Sequence, residues 1–397
     1  MSRLSRSAKA VVIAAGLIAP PAFAGVPLSD AQLGAVPAGI RFSITNRVSD
    51  QPGVAPVTDP LLVNAWGLSQ GPGTLLWVAN NGTNSSTIYD PASFAKNPLN
   101  VNVPGAPTGT TFVGVNNAFN VTEAGKTGNT LFAFATEGGQ IEGWNPTVDL
   151  HNALVAFDGS AQGAEFKGLT MGVQGLTTAQ IAVDTPNGVL SVSNPIRTSR
   201  NLTPLLFATD FGANVVEAFD SKFNKVMSFT DPLLPPNYSP FNVQTLNGLL
   251  YVTFANRAPG AHDETAGPGL GFVDVFDTSG HFLRRLVSGG PLNAPWGLAI
   301  APRSFGKFAG ALLVGNFGDG KINAFNPVTG HFIGELKSGD GGSAAIDGLW
   351  ALHTGPNGTI TFSAGPDDES HGLVGSIAPT ARMWGSDEVV SMAAMHH

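Results

Sequence analysis

The sequence predicts an all-β fold: a six-bladed β-propeller of four-stranded blades, closed by an N-terminal strand that completes the last blade. Three observations carry that expectation. Gly and Pro number 50 and 29 among 397 residues, a turn density that suits many short strands. A β-rich segment ending in an aromatic followed by Asp or Asn recurs five times, as Tyr89-Asp90, Trp144-Asn145, Phe219-Asp220, Phe276-Asp277 and Phe325-Asn326. Where periodicity is visible beyond the N-terminus it has period two, as in Lys321-Ile322-Asn323-Ala324-Phe325 and Val273-Asp274-Val275-Phe276.

The elements follow in chain order. Residues 1–24 read as a secretory signal: Arg3, Arg6 and Lys9 precede an apolar run over 10–19, and Ala22-Phe23-Ala24 has the small–x–small cleavage pattern. Residues 25–40 read as a flexible segment, 41–377 as the propeller and 378–397 as a flexible tail. Within each repeat a Gly-Leu pair marks the first strand: Trp66-Gly67-Leu68, Gly168-Leu169, Trp296-Gly297-Leu298 and Gly348-Leu349-Trp350. Pro107-Thr108-Gly109 and Phe241-Asn242-Val243 take that place in the two weaker copies. Second strands cover 76–80, 131–137, 206–210, 250–256, 312–316 and 359–365. The third ends on the aromatic–Asp/Asn pair, and a turn leads into the fourth, as in Asp277-Thr278-Ser279-Gly280-His281.

The sixth repeat, 346–377, has only three strands. Residues 41–48 stand before the first Trp-Gly-Leu as 282–287 stand before the fifth repeat, so this N-terminal strand is expected to close the ring and cover its exposed edge. Two insertions depart from the unit, at 174–202 in the third repeat and 256–270 in the fourth. They are expected as loops on one face.

Composition excludes several functions. With no cysteine there is no disulfide, thiolate metal site or cysteine nucleophile. A net charge of −8 argues against binding nucleic acid. No apolar window is long enough for a transmembrane anchor, and no haem or nucleotide motif is present. Gly67-Leu68-Ser69-Gln70-Gly71 matches a nucleophile-elbow pattern, but it lies on a repeat strand rather than before a helix. Gly125-Lys126-Thr127 lacks the earlier glycine of a phosphate loop, since Asn120 stands there.

One constellation points to chemistry. Aligning the ends of the second strands superposes Asn80, Glu137, Asp210, Asn256, Asn316 and Gly365. In a closed ring these share height and radius, so the first five are candidate metal ligands converging on the central opening. Carboxylate and amide oxygens are the ligands Ca²⁺ prefers. The same end is expected to carry candidate ligand-binding residues Asp59, Asn64 and Asp347 on blade-to-blade loops. The long His262-Asp263-Glu264 loop belongs there too, with the Asp367-Asp368-Glu369 loop beside it. The competing account is turn chemistry, since Asn and Asp are ordinary turn formers; Glu137 is the residue least explained by it.

The chain also resembles a family of exported bacterial proteins of uncharacterised function. The resemblance rests on Val48-Ser49-Asp50-Gln51-Pro52-Gly53-Val54-Ala55, Asn64-Ala65-Trp66-Gly67-Leu68 and Phe134-Ala135-Thr136-Glu137-Gly138-Gly139. Pro240-Phe241-Asn242-Val243-Gln244, Gly271-Phe272-Val273-Asp274-Val275-Phe276-Asp277 and Gly315-Asn316-Phe317-Gly318-Asp319-Gly320 extend it. Relatives often end in a Pro-Glu-Pro sorting tail, which is absent from this sequence. More remotely the blades are similar to NHL-repeat and gluconolactonase-type propellers, and the latter resemblance implies a divalent cation held by Glu, Asn and Asp at the channel mouth.

Three functional readings are compatible with these observations. The first is an exported scaffold, periplasmic or extracellular, that binds a small molecule, glycan or protein. The second is a Ca²⁺-dependent hydrolase of the lactonase or phosphotriesterase kind, with its site at the channel mouth. The third is a structural protein of the cell exterior. No motif fixes a general base, so no catalytic residue is assigned and binding leads.

Overall fold

The computed structural model describes residues 39–177, 196–197 and 202–380. Six antiparallel sheets stand around a central axis, each ordered from the innermost strand outward. Blade 1 comprises Ala65–Ser69, Leu76–Asn80, Ser85–Tyr89 and Lys96–Asn102. Blade 2 comprises Pro107–Phe112, Phe132–Thr136, Gln140–Trp144 and Leu154–Asp158, and blade 3 Phe166–Gln174, Thr203–Asp210, Val215–Phe219 and Lys225–Phe229. Blade 4 comprises Tyr238–Leu246, Leu249–Asn256, Phe272–Phe276 and Phe282–Ser288, and blade 5 Pro295–Ile300, Leu312–Asn316, Ile322–Phe325 and Phe332–Glu335. Blade 6 takes Leu349–Thr354, Ile360–Ala364 and Leu373–Pro379 from the C-terminal side and Phe42–Ser49 from the N-terminal side. The signal and both expected flexible ends fall almost wholly outside the described residues, as does most of the 174–202 insertion.

Ring closure is by backbone pairing. Phe42–Ser49 runs antiparallel to Leu373–Pro379, with Ile44 opposite Ile377 and Val48 opposite Val374. Phe42 and Val48 are fully buried, so the closing strand contributes side chains to the core as well as hydrogen bonds to an otherwise bare edge.

The recurring sequence marks have physical causes. The Asp or Asn after each aromatic folds back on the turn into the fourth strand. Asp90 accepts from the Ala92 and Ser93 N–H groups at 3.0 and 2.8 Å, and Asp277 from Ser279 and His281 at 2.8 and 2.9 Å. Asn145, Asp220 and Asn326 make the same kind of turn. The first-strand glycine serves close approach at the axis. A Cβ on Gly67 would lie 2.5 Å from Thr108 O, and one on Gly109 2.4 Å from Leu169 N, so the innermost strands pack backbone to backbone. Blade 4 has Asn242 instead, and its Nδ2 reaches Trp296 O of blade 5 at 2.7 Å.

Burial is organised at the blade junctions. Trp77, Ile88, Phe132, Phe134 and Trp144 fill the space between blades 1 and 2. Equivalent clusters fill the four junctions from blade 2 to blade 6, and Val48, Val78, Tyr89 and Val374 join blades 6 and 1 in a cluster continuous with the axis. Trp77 stacks on Phe132 at 4.3 Å. At roughly 1.5–3 kcal/mol per fully buried large apolar side chain, these junctions supply the main term that offsets the chain entropy of the ring. Gly125-Lys126-Thr127 sits at the tip of a hairpin formed by Asn120–Glu123 and Lys126–Asn129, with no helix after it.

Candidate functional site at the channel mouth

The residue before the first-strand glycine, or before Asn242 and Ala351 where blades 4 and 6 lack that glycine, belongs to the channel wall. Aligned by register, these are Trp66, Thr108, Lys167, Phe241, Trp296 and Trp350. Four of the six are large aromatics, and they fill the axis. Trp66 stacks on Trp350 at 3.6 Å and meets Trp296 edge-on at 6.0 Å. Phe241 and Phe317 pack on Trp350 at 5.9 and 4.0 Å. The channel is therefore plugged, and chemistry is confined to its ends.

Lys167 is the exception in that wall. Its side chain is 1% exposed, and its Nζ lies 2.5 Å from Glu137 Oε1 and 2.9 Å from Glu165 Oε1. The ring faces of Trp66 and Phe211 are 5.4 and 5.5 Å away. Burial alone would lower the ammonium pKa, but the charges of Glu137 and Glu165 outweigh it and hold Lys167 above the ordinary lysine value.

A hydrogen-bonded chain extends from this ion pair around the mouth. Asn81 Nδ2 donates to Glu137 Oε2 at 2.8 Å. Asn64 Nδ2 donates to Asn81 Oδ1 at 3.3 Å and to Glu369 Oε2 at 2.5 Å, and Trp350 Nε1 donates to Asn64 Oδ1 at 2.9 Å. On the other side His262 Nδ1 lies 2.9 Å from Glu165 Oε2. The members come from loops and first strands of five blades, all at the end where first strands begin and second strands stop. Burial pushes the half-buried Glu264 up to about 7, with Glu369 and Asp263 adding to the effect. Burial likewise raises Glu369, against the hydrogen bond from Asn64.

The residues expected from the sequence divide sharply. Glu137, Asn64 and His262 lie within the network; Glu264 and Asp263 flank it electrostatically. The second-strand ring does not converge on the opening. Asn80 Nδ2 turns into blade 1, to Ser85 Oγ and Thr87 Oγ1 at 3.1 and 3.0 Å. Asp210 accepts from the Glu165 and Ala213 N–H groups, and Asn316 Nδ2 from blade 5 donates to Pro291 O at 2.8 Å. Asn256 anchors its long loop through its backbone carbonyl, which accepts from Thr265 N at 2.6 Å. Asp59 is fully buried between Tyr89 Oη and Lys96 Nζ, each at 2.6 Å. Asp347 is exposed and accepts from the Asp367 N–H at 3.0 Å. A Cβ on Gly365 would lie 2.3 Å from Asn64 Oδ1, so glycine there makes room for the network.

The mouth does not fit the divalent cation that the lactonase-type resemblance implies. Among the described residues no group of three or more His, Asp or Glu side chains is placed to hold a metal. All four oxygens of Glu137 and Glu165 already face Lys167, Asn81 or His262. Lys167, Asn81, Glu165 and Glu369 are absent from the candidate residues the sequence suggested as a ring or ligand set, although Glu369 was placed in its loop. Lys167 carries a signal in the alignment: a lysine in the slot that holds Trp or Phe in four other repeats.

Fold and mouth together define a six-bladed β-propeller with a plugged axis and one charge-paired, hydrogen-bonded face. Among its relatives, two uncharacterised proteins of Acanthamoeba polyphaga mimivirus are similar to it in sequence. R648 is 32% identical over 354 residues, covering 85% of this chain and 79% of that protein, and L690 is 31% identical over 357 residues, covering 85% of each. The chain belongs to the family of these proteins. No family model matches it. Among solved structures, a streptogramin B lyase shows 9% identity and a TM-score of 0.47, over 86% of this chain and 98% of that one. A gluconolactonase of Xanthomonas campestris shows 10% identity and a TM-score of 0.48, over 89% and 94%. No helix among the described residues is long and apolar enough to cross a membrane.

Proposed function

We propose that this chain is an exported binding propeller whose ligand docks on the channel mouth. The observation that carries the reading is the continuous chain of hydrogen bonds from Glu369 through Asn64, Asn81, Glu137 and Lys167 to Glu165 and His262. Loops of five blades meet there, as expected of a site that a rigid scaffold presents. Acceptors dominate its rim: Glu137 is 29% exposed, Asp263 is exposed and Glu369 half-buried. Such a rim favours a ligand that donates hydrogen bonds, a hydroxylated glycan or an amine. Export rests on the order of basic, apolar and small–x–small regions in 1–24.

The test is a calorimetric screen of neutral oligosaccharides and polyamines against the wild type and an Asp263→Asn/Glu369→Gln variant. Loss of a charged hydrogen bond, worth about 1.5–3 kcal/mol, predicts roughly 10- to 150-fold weaker binding in the variant. Saturable binding that the variant leaves unchanged refutes the mouth as the site.

A further inference from the structure

A divalent cation at a propeller mouth organises carboxylates and amides that would otherwise repel one another. Here the same organisation is present around a nitrogen. We propose that the resident cation of the mouth is the chain's own Lys167 ammonium, which takes the place of a metal and makes the arrangement of Glu137 and Glu165 independent of divalent ions.

Four observations carry this. The ammonium is 1% exposed and spans the two carboxylates at 2.5 and 2.9 Å, so it sits where a shared cation would. Each carboxylate spends its remaining oxygen on a nitrogen: Asn81 Nδ2 for Glu137, and the His262 ring for Glu165. Ca²⁺ needs six to eight oxygen ligands, whereas Nζ and the Asn81 amide present hydrogens to this site. The faces of Trp66 and Phe211, at 5.4 and 5.5 Å, complete a cage suited to a monovalent organic cation rather than a hydrated metal. A lysine this deeply buried is costly unless paired, and a metal ion held by the same two carboxylate oxygens would stand against its charge at short range. The inference concerns what holds the mouth together and stands whether or not a glycan or amine binds there.

Three measurements test it on the full-length chain purified without chelator. Elemental analysis should find far less than one Ca, Mg, Mn or Zn per chain, and the melting temperature should change by less than about 1 °C between EDTA and millimolar CaCl₂ or MnCl₂. A Lys167→Met variant should melt lower, and adding Glu137→Gln to it should cost much less than Glu137→Gln costs in the wild type, because the two groups act as a pair. About one divalent ion per chain, or a CaCl₂-induced rise in melting temperature that Glu137→Gln abolishes, overturns the proposal. So does strict additivity of the two substitutions. Should the Lys167→Met chain fail to fold, the metal content and CaCl₂ response of the wild type decide the matter alone.

Discussion

Glu142 gives the sharpest test of how this ring is held together. It lies at the centre of the third strand of blade 2, opposite Phe134, and so shares that residue's face of the sheet, toward the cluster of Trp77, Ile88, Phe132 and Trp144. It is fully buried and neither carboxyl oxygen has a partner among the described residues. Burial pushes its pKa from the ordinary 4.5 to about 8. Below pH 4.5 the group is protonated in both folded and unfolded chains and leaves stability unchanged. Between 4.5 and 8 the unfolded chain releases the proton while the folded chain keeps it, so stability falls as pH rises; above 8 the loss is complete. An interval of about 3.5 pH units at about 1.4 kcal/mol each makes the full loss on the order of 4–5 kcal/mol. Glu142→Gln removes the titration while keeping the shape. Urea unfolding at pH 5, 7 and 9 should show the variant close to wild type at pH 5 and progressively more stable than it toward pH 9. Parallel pH profiles for the two proteins, or a variant that loses ground at pH 9, would refute the reasoning.

Further predictions rest on equally local features. Deleting residues 41–48 removes the closing strand with buried Phe42 and Val48; a large drop in melting temperature or aggregation on gel filtration is expected, and an unchanged melt would contradict closure. Gly109→Ala should lower stability by about 1–3 kcal/mol in urea unfolding, because its Cβ would press on the blade 3 backbone, whereas Gly339→Ala, with nothing within 4 Å, should be near neutral. Arg285→Ala strands the buried Asp231 and Asp274 and should cost about 3–5 kcal/mol at neutral pH. Burial has already drawn Asp274 up to about 8, so it is mostly protonated in the folded chain at pH 7 as at pH 5, and on its account the cost should differ little between those two pH values.

The blades were legible because their marks are local. An Asp or Asn that folds back on its own turn leaves the same kind of residue at the same place in five copies, and a glycine at the axis marks four. The end of the molecule that carries the site was legible for a related reason: aligned second strands stop at one height, which put Glu137 beside the mouth. Side-chain direction was not legible. Asn80, Asp210 and Asn316 share that height but find partners in their own blades or in the connections leading into them, and only register distinguishes an inward from an outward neighbour. Lys167 escaped because a search for oxygen ligands passes over a nitrogen, and because its repeat was marked by Gly168-Leu169 alone. Asn81 follows the aligned position in blade 1 as Glu137 follows Thr136 in blade 2, a one-residue offset at the bulge that strand alignment does not resolve.

Backbone strain separates architecture from site. Asn64, Ala106, Ala294 and Gly348 all have positive φ, at 47°, 59°, 45° and 61°, and each immediately precedes a first strand. A conformation repeated in four blades is the way the chain turns into the channel wall, so the φ of Asn64 by itself says nothing about function. The connection between the second and third strands of blade 6 is different. Asp367, Asp368 and Glu369 are left-handed in succession, at 56°, 50° and 65°, whereas the corresponding connections elsewhere hold isolated positive-φ residues among those described. Consecutive left-handed residues cost roughly 1 kcal/mol or more each. The turn is held by the Asp347 carboxylate on the Asp367 N–H at 3.0 Å, by Ser370 Oγ on Asp367 O at 2.6 Å and by Glu369 N on Gly365 O at 3.1 Å. What that conformation delivers is Glu369 Oε2 against Asn64. Strain is concentrated in the loop that carries Glu369 to Asn64; Glu137 reaches Asn81 of blade 1 from the corresponding loop of blade 2, where only Gly139 has positive φ.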